Sequence, residues 1–378
     1  MYRTIYAQIH NTLETKWSPI ILLLGARQTG KTTLAESLVR PKVVRFNFDL
    51  VNDIHRFSAF DRESLDIFAT TYAHHDILID EVQKYPEATG TIKYLYDTYK
   101  NKDLRFILTG SSEIRIRHSI GDSLTGRVYE VHLYPLSLAE MNIQSGLSFD
   151  FSAEWNNIQE NQSRLRTYLV FGSLPSSQNL PLTEYPQFLK EYVNHVFSKD
   201  LLEIGNLRKP IQALFLAKLL AHQIGQLVNV NELALHTELN RETVLRFLDF
   251  FEQLGMITVA TPLSTNERES ISKAKKIYFT DLGIRNALIN NFDEYHLRLD
   301  KGQLLENAVF MGIKRQLEYQ RTPYQLGFFR SSSGSEIDIV KKTEQTQSLY
   351  EIKTSGKKTK KTEHVTYITL ENAQRFLY

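Results

Sequence analysis

A chain of 378 residues is longer than one hydrophobic core usually serves, so two or three domains are expected. With Lys+Arg 45 against Asp+Glu 43 the formal charge is +2, too small to argue for nucleic acid from the whole chain, so any basic footprint has to be local. Without cysteine there is neither a disulfide framework nor a thiolate zinc site. The opening MYRTIYAQIH lacks the layout of a secretion signal. The run PIILLLG falls far short of the roughly 20 apolar residues that cross a bilayer, so a cytoplasmic protein without a membrane segment is expected.

In chain order, the first feature is IILLLGARQTGKTTLAESLVR, in which Gly25, four residues, Gly30, Lys31 and Thr32 complete the phosphate-loop pattern G-x-x-x-x-G-K-[ST]. A strand, Ile20 to Leu24, enters the loop and a helix-prone run, Thr33 to Val39, leaves it. The backbone of Gly25, Ala26, Arg27, Gln28, Thr29, Gly30, Lys31, Thr32 and Thr33 is therefore expected to cradle the phosphates of ATP at a positive helix end. Lys31 should reach the β and γ phosphates and the Thr32 hydroxyl should hold Mg²⁺. The strand in HDILIDEVQKYP ends on Asp80, expected to bind Mg²⁺, and Glu81, expected to orient or deprotonate the attacking water. The strand in RFILTGSS ends on Ser111 and Ser112, where a hydroxyl can sense the γ-phosphate. Strands near 20–24, 43–48, 77–80, 105–109 and 129–133 alternate with helical segments, which indicates an α/β fold with a mostly parallel sheet covered on both faces. Ligand then sits at the carboxyl ends of the strands. Arg127 admits two roles, an arginine finger in its own or a neighbouring chain, or a structural hydrogen-bonder, and Arg27 carries the same alternatives.

Together LLLGARQTGKTTL, ILIDEVQ, FILTGSS, LTGRVYEVHLYPLSLAE and YLVFGSLP resemble the prokaryotic AAA-type ATPases that carry a C-terminal domain of restriction-endonuclease-like fold. The resemblance covers almost the whole chain and implies an ATPase core, a helical segment, a winged-helix-like region and the terminal domain, in that order. One departure is Gly172-Ser173, where similar proteins usually read Gly-Gly.

From SLAEMNIQSG to DLLEIG the pattern is helical with Gly and Pro as punctuation. The block from IQALFLAKLL to KKIYFTD has the outline of a winged helix-turn-helix, with Asn240 as N-cap, Val244, Phe247, Leu248 and Phe251 on one face, and STNERESISKAKK as a charged wing. Either Arg241 and Arg246 enter a DNA groove with Lys273, Lys275 and Lys276 on phosphates, or the module is structural or binds a protein.

Near the end, SEIDIVK places Glu336 and Asp338 opposite Ile337 and Ile339, and LYEIKT places Glu351 and Lys353 opposite Tyr350 and Ile352. A solvated hairpin has the same alternation. Glu306 tips the balance, because it heads a helical stripe with Phe310, Ile313 and Leu317 and so faces protein. An acid on a helix, a strand with Asp, then a strand with Glu-x-Lys is the order of the PD-(D/E)xK nuclease fold. In that fold Asp338 and Glu351 would hold Mg²⁺, Glu306 would complete the metal shell and Lys353 would activate water. Lys357, Lys358, Lys360 and Lys361 form either a phosphate-binding cluster or a solvated run.

The expected organisation is a P-loop ATPase core over residues 1–135, a helical lid or linker over 136–205, a winged-helix-like region over 206–292 and an α+β nuclease-like domain over 293–378. ATP and Mg²⁺ are the expected cofactors. DNA is the expected macromolecular partner, with a protein partner or further copies of the chain left open. Two functions fit: an ATPase whose nucleotide state controls a nuclease or DNA-binding domain, and a switch whose terminal fold binds without cutting.

Overall fold

The computed structural model describes residues 1–15, 19–111, 124–146, 158–200, 209–263, 275–331, 335–354 and 365–378. The chain divides into two compact units, Met1–Tyr134 and Pro135–Tyr378.

The first unit is a parallel-sheet P-loop NTPase core with flanking helices. Strands β1 (Ile20–Leu24), β2 (Val43–Asn47), β3 (Asp76–Asp80), β4 (Arg105–Gly110) and β5 (Val128–His132) lie in the order β2-β3-β4-β1-β5, every pair parallel. All five side chains of β1 are buried, which is why its sequence is an unbroken apolar run rather than an alternation. Helices α1 (Tyr6–Leu13), α2 (Lys31–Leu38), α3 (Val51–Ser58), α4 (Arg62–Thr71) and α5 (Ala88–Thr98) complete the unit. Because the strands run together, the loop after β1 and the ends of β3 and β4 share one rim of the sheet. The opposite rim is fixed by buried Asp76, which receives Arg105 at 2.7 and 2.6 Å and Arg40 Nε at 2.8 Å.

The second unit starts with α6 (Leu138–Gln144), α7 (Ile158–Phe171) and α8 (Tyr185–His195). Helices α9 (Pro210–His222), α10 (Val230–Thr237) and α11 (Arg241–Gln253) follow, with an antiparallel sheet β6-β8-β7 made of β6 (Leu227–Val228), β7 (Ile257–Ala260) and β8 (Lys275–Phe279). Asn240 caps α11, its Oδ1 accepting from Thr243 N at 2.7 Å, and Val244, Phe247, Leu248 and Phe251 are all buried. After α12 (Leu282–Leu288) comes the long α13 (Lys301–Gln320), then a mixed sheet ordered β12-β11-β10-β9. Its strands are β9 (Tyr324–Arg330), β10 (Glu336–Thr343), β11 (Gln347–Ile352) and β12 (Val365–Ile368), with β11 and β12 parallel and the other pairs antiparallel.

The two sheets of this unit are joined. Leu263 N donates to Phe328 O at 2.7 Å, and Gly327 lies so near Thr261 that an added Cβ would stand 2.2 Å from its carbonyl oxygen. The YLVFGSLP segment has a comparable reason. Gly172 (φ +68°) passes within 2.1 Å, by its missing Cβ, of the Asp281 carboxylate that caps α12. Ser173 contributes its backbone N–H to the same carboxylate at 2.7 Å, a bond that does not call for a second glycine.

Candidate functional site

The loop after β1 is shaped by two glycines at positive φ. Gly25 has φ +146°, and a Cβ there would lie 2.3 Å from Leu133 O; Gly30, at φ +86°, turns the chain into α2. Thr29 Oγ1 donates to Ala26 O at 2.9 Å across the loop. Lys31 lays its ammonium group back over the loop, donating to Gly25 O at 3.0 Å and Ala26 O at 2.9 Å. Thr32 and Thr33 stand exposed in the first turn of α2, where backbone N–H groups have no helical acceptor.

Asp80 meets this turn from the end of β3. Thr32 Oγ1 lies 3.1 Å from each of its carboxylate oxygens, and Thr109 Oγ1 also donates to it. A hydroxyl beside a carboxylate is the hard oxygen set that Mg²⁺ takes, so these residues fit that ion. Glu81 adopts the left-handed backbone conformation (φ +55°, ψ +47°), seldom taken by a side chain of its kind. Its carboxylate accepts from Ser111 Oγ at 2.9 Å and from Gln83 Nε2, while Gln83 Nε2 also reaches Ser111 Oγ at 3.0 Å. Asp80, Glu81 and Ser111 are thus brought together with the loop at one rim.

Three further residues of this site are not marked by the sequence motifs. Gln83 stands two positions after Glu81 in ILIDEVQ, where a buried amide beside the acidic pair is a usable signal. Thr109 ends the apolar run of β4 and could have been found by asking which hydroxyl meets Asp80. Arg3, whose guanidinium holds Thr29 O and, at 2.9 Å, Tyr134 O, follows from no motif.

Arg127 is a correction. It precedes β5, and its carbonyl accepts from Ile20 N at 2.9 Å at the amino end of β1, so it lies on the rim opposite the phosphate loop. Its guanidinium pairs with Asp97 at 2.8 and 2.9 Å. A finger acting within its own chain is excluded by this placement, and the Asp97 pair is the bond of the structural alternative; action on a neighbouring chain is a separate question that this placement does not touch. Arg127→Ala is therefore expected to leave the ATP hydrolysis rate of isolated chains unchanged in a steady-state assay, and a collapse of that rate would contradict the placement.

The terminal acids are gathered around a residue expected elsewhere. Glu306 heads a buried stripe with Phe310, Ile313 and Leu317, as its spacing predicts. Its Oε1 accepts from Lys276 Nζ at 3.0 Å and Tyr278 Oη at 2.7 Å, both from β8. Lys276 also meets Glu336 at 2.7 Å. Burial pushes the Glu306 carboxyl up to about 7, against the pull of Lys276. Asp338 is likewise raised by burial, and its Oδ2 accepts from Ile352 N at 2.8 Å. Glu351 pairs with Lys353 at 2.9 Å, a bond that raises the Lys353 ammonium above its usual range.

Two expectations change here. Lys276, assigned to DNA phosphates, is only 2% exposed and points into the acid cluster. Strand parity carried the signal, since Lys276 and Tyr278 share one face of β8 while Ile277 and Phe279 share the other. The shared metal shell of Glu306, Asp338 and Glu351 is also corrected: among the described residues no three His, Asp or Glu side chains are arranged to hold a metal ion. Glu306, the acid expected to complete the shell, is instead held by Lys276 and Tyr278, so the three acids do not fit a shared Mg²⁺ site. Arg241 and Arg246 are exposed on α11. Ser112, Lys273, Lys357, Lys358, Lys360 and Lys361, with most of the charged wing, lie outside the described residues.

Residues 18–142 match the family model of an AAA domain, which takes in the whole phosphate loop, Asp80, Glu81 and Ser111. This part of the chain is similar to AAA domains and carries the phosphate-loop motif. Residues 162–295 and 301–376 match two domain families of unknown function. An uncharacterized protein of Mycobacterium tuberculosis is 26% identical over 323 residues, covering 85% of this chain and 67% of that one. An uncharacterized protein of Methanocaldococcus jannaschii is 22% identical over 326 residues, covering 82% and 70%. Among solved structures, the Aeropyrum pernix ORC2 protein in its ADP form is similar with a TM-score of 0.38 at 12% identity, covering 76% of this chain and 91% of that one. The Thermotoga maritima RuvB Holliday junction branch migration motor gives 0.31 at 13%, covering 71% and 94%. No helix among the described residues is long and apolar enough to cross a membrane.

Proposed function

We propose that the chain is an ATP-hydrolysing AAA-type protein whose nucleotide state controls a C-terminal, nuclease-like region that binds DNA. The observation that carries the ATPase part is the convergence of Lys31, Thr32, Asp80, Glu81 and Ser111 on one rim of the sheet. In this reading the loop N–H groups and Lys31 bind the phosphates. Thr32 and Asp80 would hold Mg²⁺, which supplies charge neutralisation when bound. Glu81, aimed by Gln83 and Ser111, takes the proton of the attacking water. A γ-phosphate oxygen would compete for the Ser111 hydroxyl and so free Glu81 only when ATP is present.

DNA binding is supported by Arg241 and Arg246, exposed on the capped first turns of α11. Of the two forms of this function, the one in which the terminal fold binds without cutting is favoured, because Lys276 engages Glu306, one of the carboxylates assigned to the metal. The test is fluorescence anisotropy of a labelled duplex with the full chain, in ATP and in ADP, across a salt series. Affinity is expected to differ between the two nucleotides. Arg241→Ala with Arg246→Ala is expected to weaken binding on all sequences and flatten the salt slope by about two, one for each phosphate no longer neutralised. Equal affinity in both nucleotides, or an unchanged slope, would count against the reading.

A further inference from the structure

We propose that Lys276 is the resident cation of the terminal acid cluster: supplied by β8, its ammonium group fills the space between Glu306 and Glu336, takes Glu306 out of any metal shell and makes this part of the nuclease-like site a charged joint between β8 and α13. The inference deepens the non-cleaving form of the function above and rests on that form, but not on the ATPase.

The geometry is closed on every side. Lys276 Nζ lies 3.0 Å from Glu306 Oε1, 2.7 Å from Glu336 Oε1 and 5.3 Å from the centroid of the Phe328 ring. Tyr278 Oη, two residues along the same strand, donates to the same Glu306 oxygen. The second Glu306 oxygen faces the turn at Gly225, where an added Cβ would stand 3.2 Å away. Asp338 Oδ2 is turned to Ile352 N and Glu351 Oε2 to Lys353, so neither of these oxygens faces the Lys276 ammonium group. An ammonium group at 3.0 and 2.7 Å from two carboxylates occupies the place a cation bridging Glu306 and Glu336 would take.

The lysine is also held in place. β8 is the central strand of its sheet, hydrogen-bonded to β6 and β7 on its two sides, so Lys276 and Tyr278 are presented by a backbone that cannot shift without breaking two ladders. A buried ammonium with two carboxylate partners and an aromatic face satisfies the requirement that a buried charge be paired.

Mn²⁺ binding to the nucleotide-free full chain, followed by the loss of the free-ion EPR signal in an Asp80→Asn background that silences the phosphate-loop site, tests this. The wild-type terminal unit is expected to hold no Mn²⁺ that Glu336→Gln removes. Lys276→Met is expected to gain one bound Mn²⁺, lost again when Glu336→Gln is added. Either Glu336-dependent Mn²⁺ in the chain with Lys276 intact, or no gain in a folded Lys276→Met chain, overturns the proposal. Should Lys276→Met fail to fold, the comparison with and without Glu336→Gln decides by itself. ATP hydrolysis lost for any other reason leaves these readouts untouched, so the failure of one reading is distinguishable from that of the other.

Discussion

Glu81→Gln is expected to bind ATP as tightly as the wild type and to hydrolyse it about 10²–10⁴-fold more slowly, the range that a positioned general base contributes. The amide keeps the shape of the carboxylate and can still meet Ser111, so the phosphate loop, Lys31 and Thr32 are untouched. What it cannot do is accept the proton of the attacking water. Lys31→Ala should behave differently, losing nucleotide affinity as well as hydrolysis, because the ammonium group that bridges Gly25 O and Ala26 O is the one available to phosphate oxygens. Single-turnover hydrolysis measured beside the affinity for a fluorescent ATP analogue separates the two. A Glu81→Gln chain that turns over at the wild-type rate would remove Glu81 from the chemistry.

The nucleotide site was legible because its parts are local. A loop fixed by Gly25 and Gly30 and an acid pair at the end of an apolar strand are written contiguously, and the parallel sheet brings them to one rim without help from distant residues. Arg127 was legible as a residue but not as a position. It lies before a strand that runs parallel to β1, which puts it at the opposite rim, and only the register of β5 on β1 reveals that. The terminal unit shows the same division. Periodicity was enough to turn Glu306 inward, since spacings of four, seven and eleven place it over Phe310, Ile313 and Leu317. It could not name the partner, because Lys276 arrives from another sheet thirty residues upstream, and no helical or strand period links two such positions. Gln83 fell between these cases, adjacent in sequence to the acids yet silent, because an amide carries no charge to attract notice.

Lys276→Met is expected to destabilise the second unit by about 3–5 kcal/mol at pH 8, the cost of leaving one member of a buried ion pair without its partner, and by clearly less at pH 5. The difference follows from Glu306. Burial holds its carboxyl at about 7 in the folded chain, above the 4.5 of an ordinary glutamate. A raised acid stabilises the fold in its protonated form, so the contribution is fully present below about 4.5 and is lost as the pH rises through about 7. At pH 5 the folded Glu306 carries its proton and needs no counter-ion; at pH 8 it is a carboxylate facing Lys276 at 3.0 Å. Removing the ammonium group also removes the pull that lowers this carboxyl, so the variant should lose stability more steeply than the wild type between pH 5 and 8. Glu306→Gln should flatten the profile over the same window, because the amide can still accept from Tyr278 and Lys276 keeps Glu336. Urea midpoints at four pH values for the wild type, both single variants and the double variant give the coupling directly. Equal costs for Lys276→Met at pH 5 and pH 8 would mean that Glu306 does not titrate against Lys276, leaving the pair with Glu336 as the charge that holds the joint.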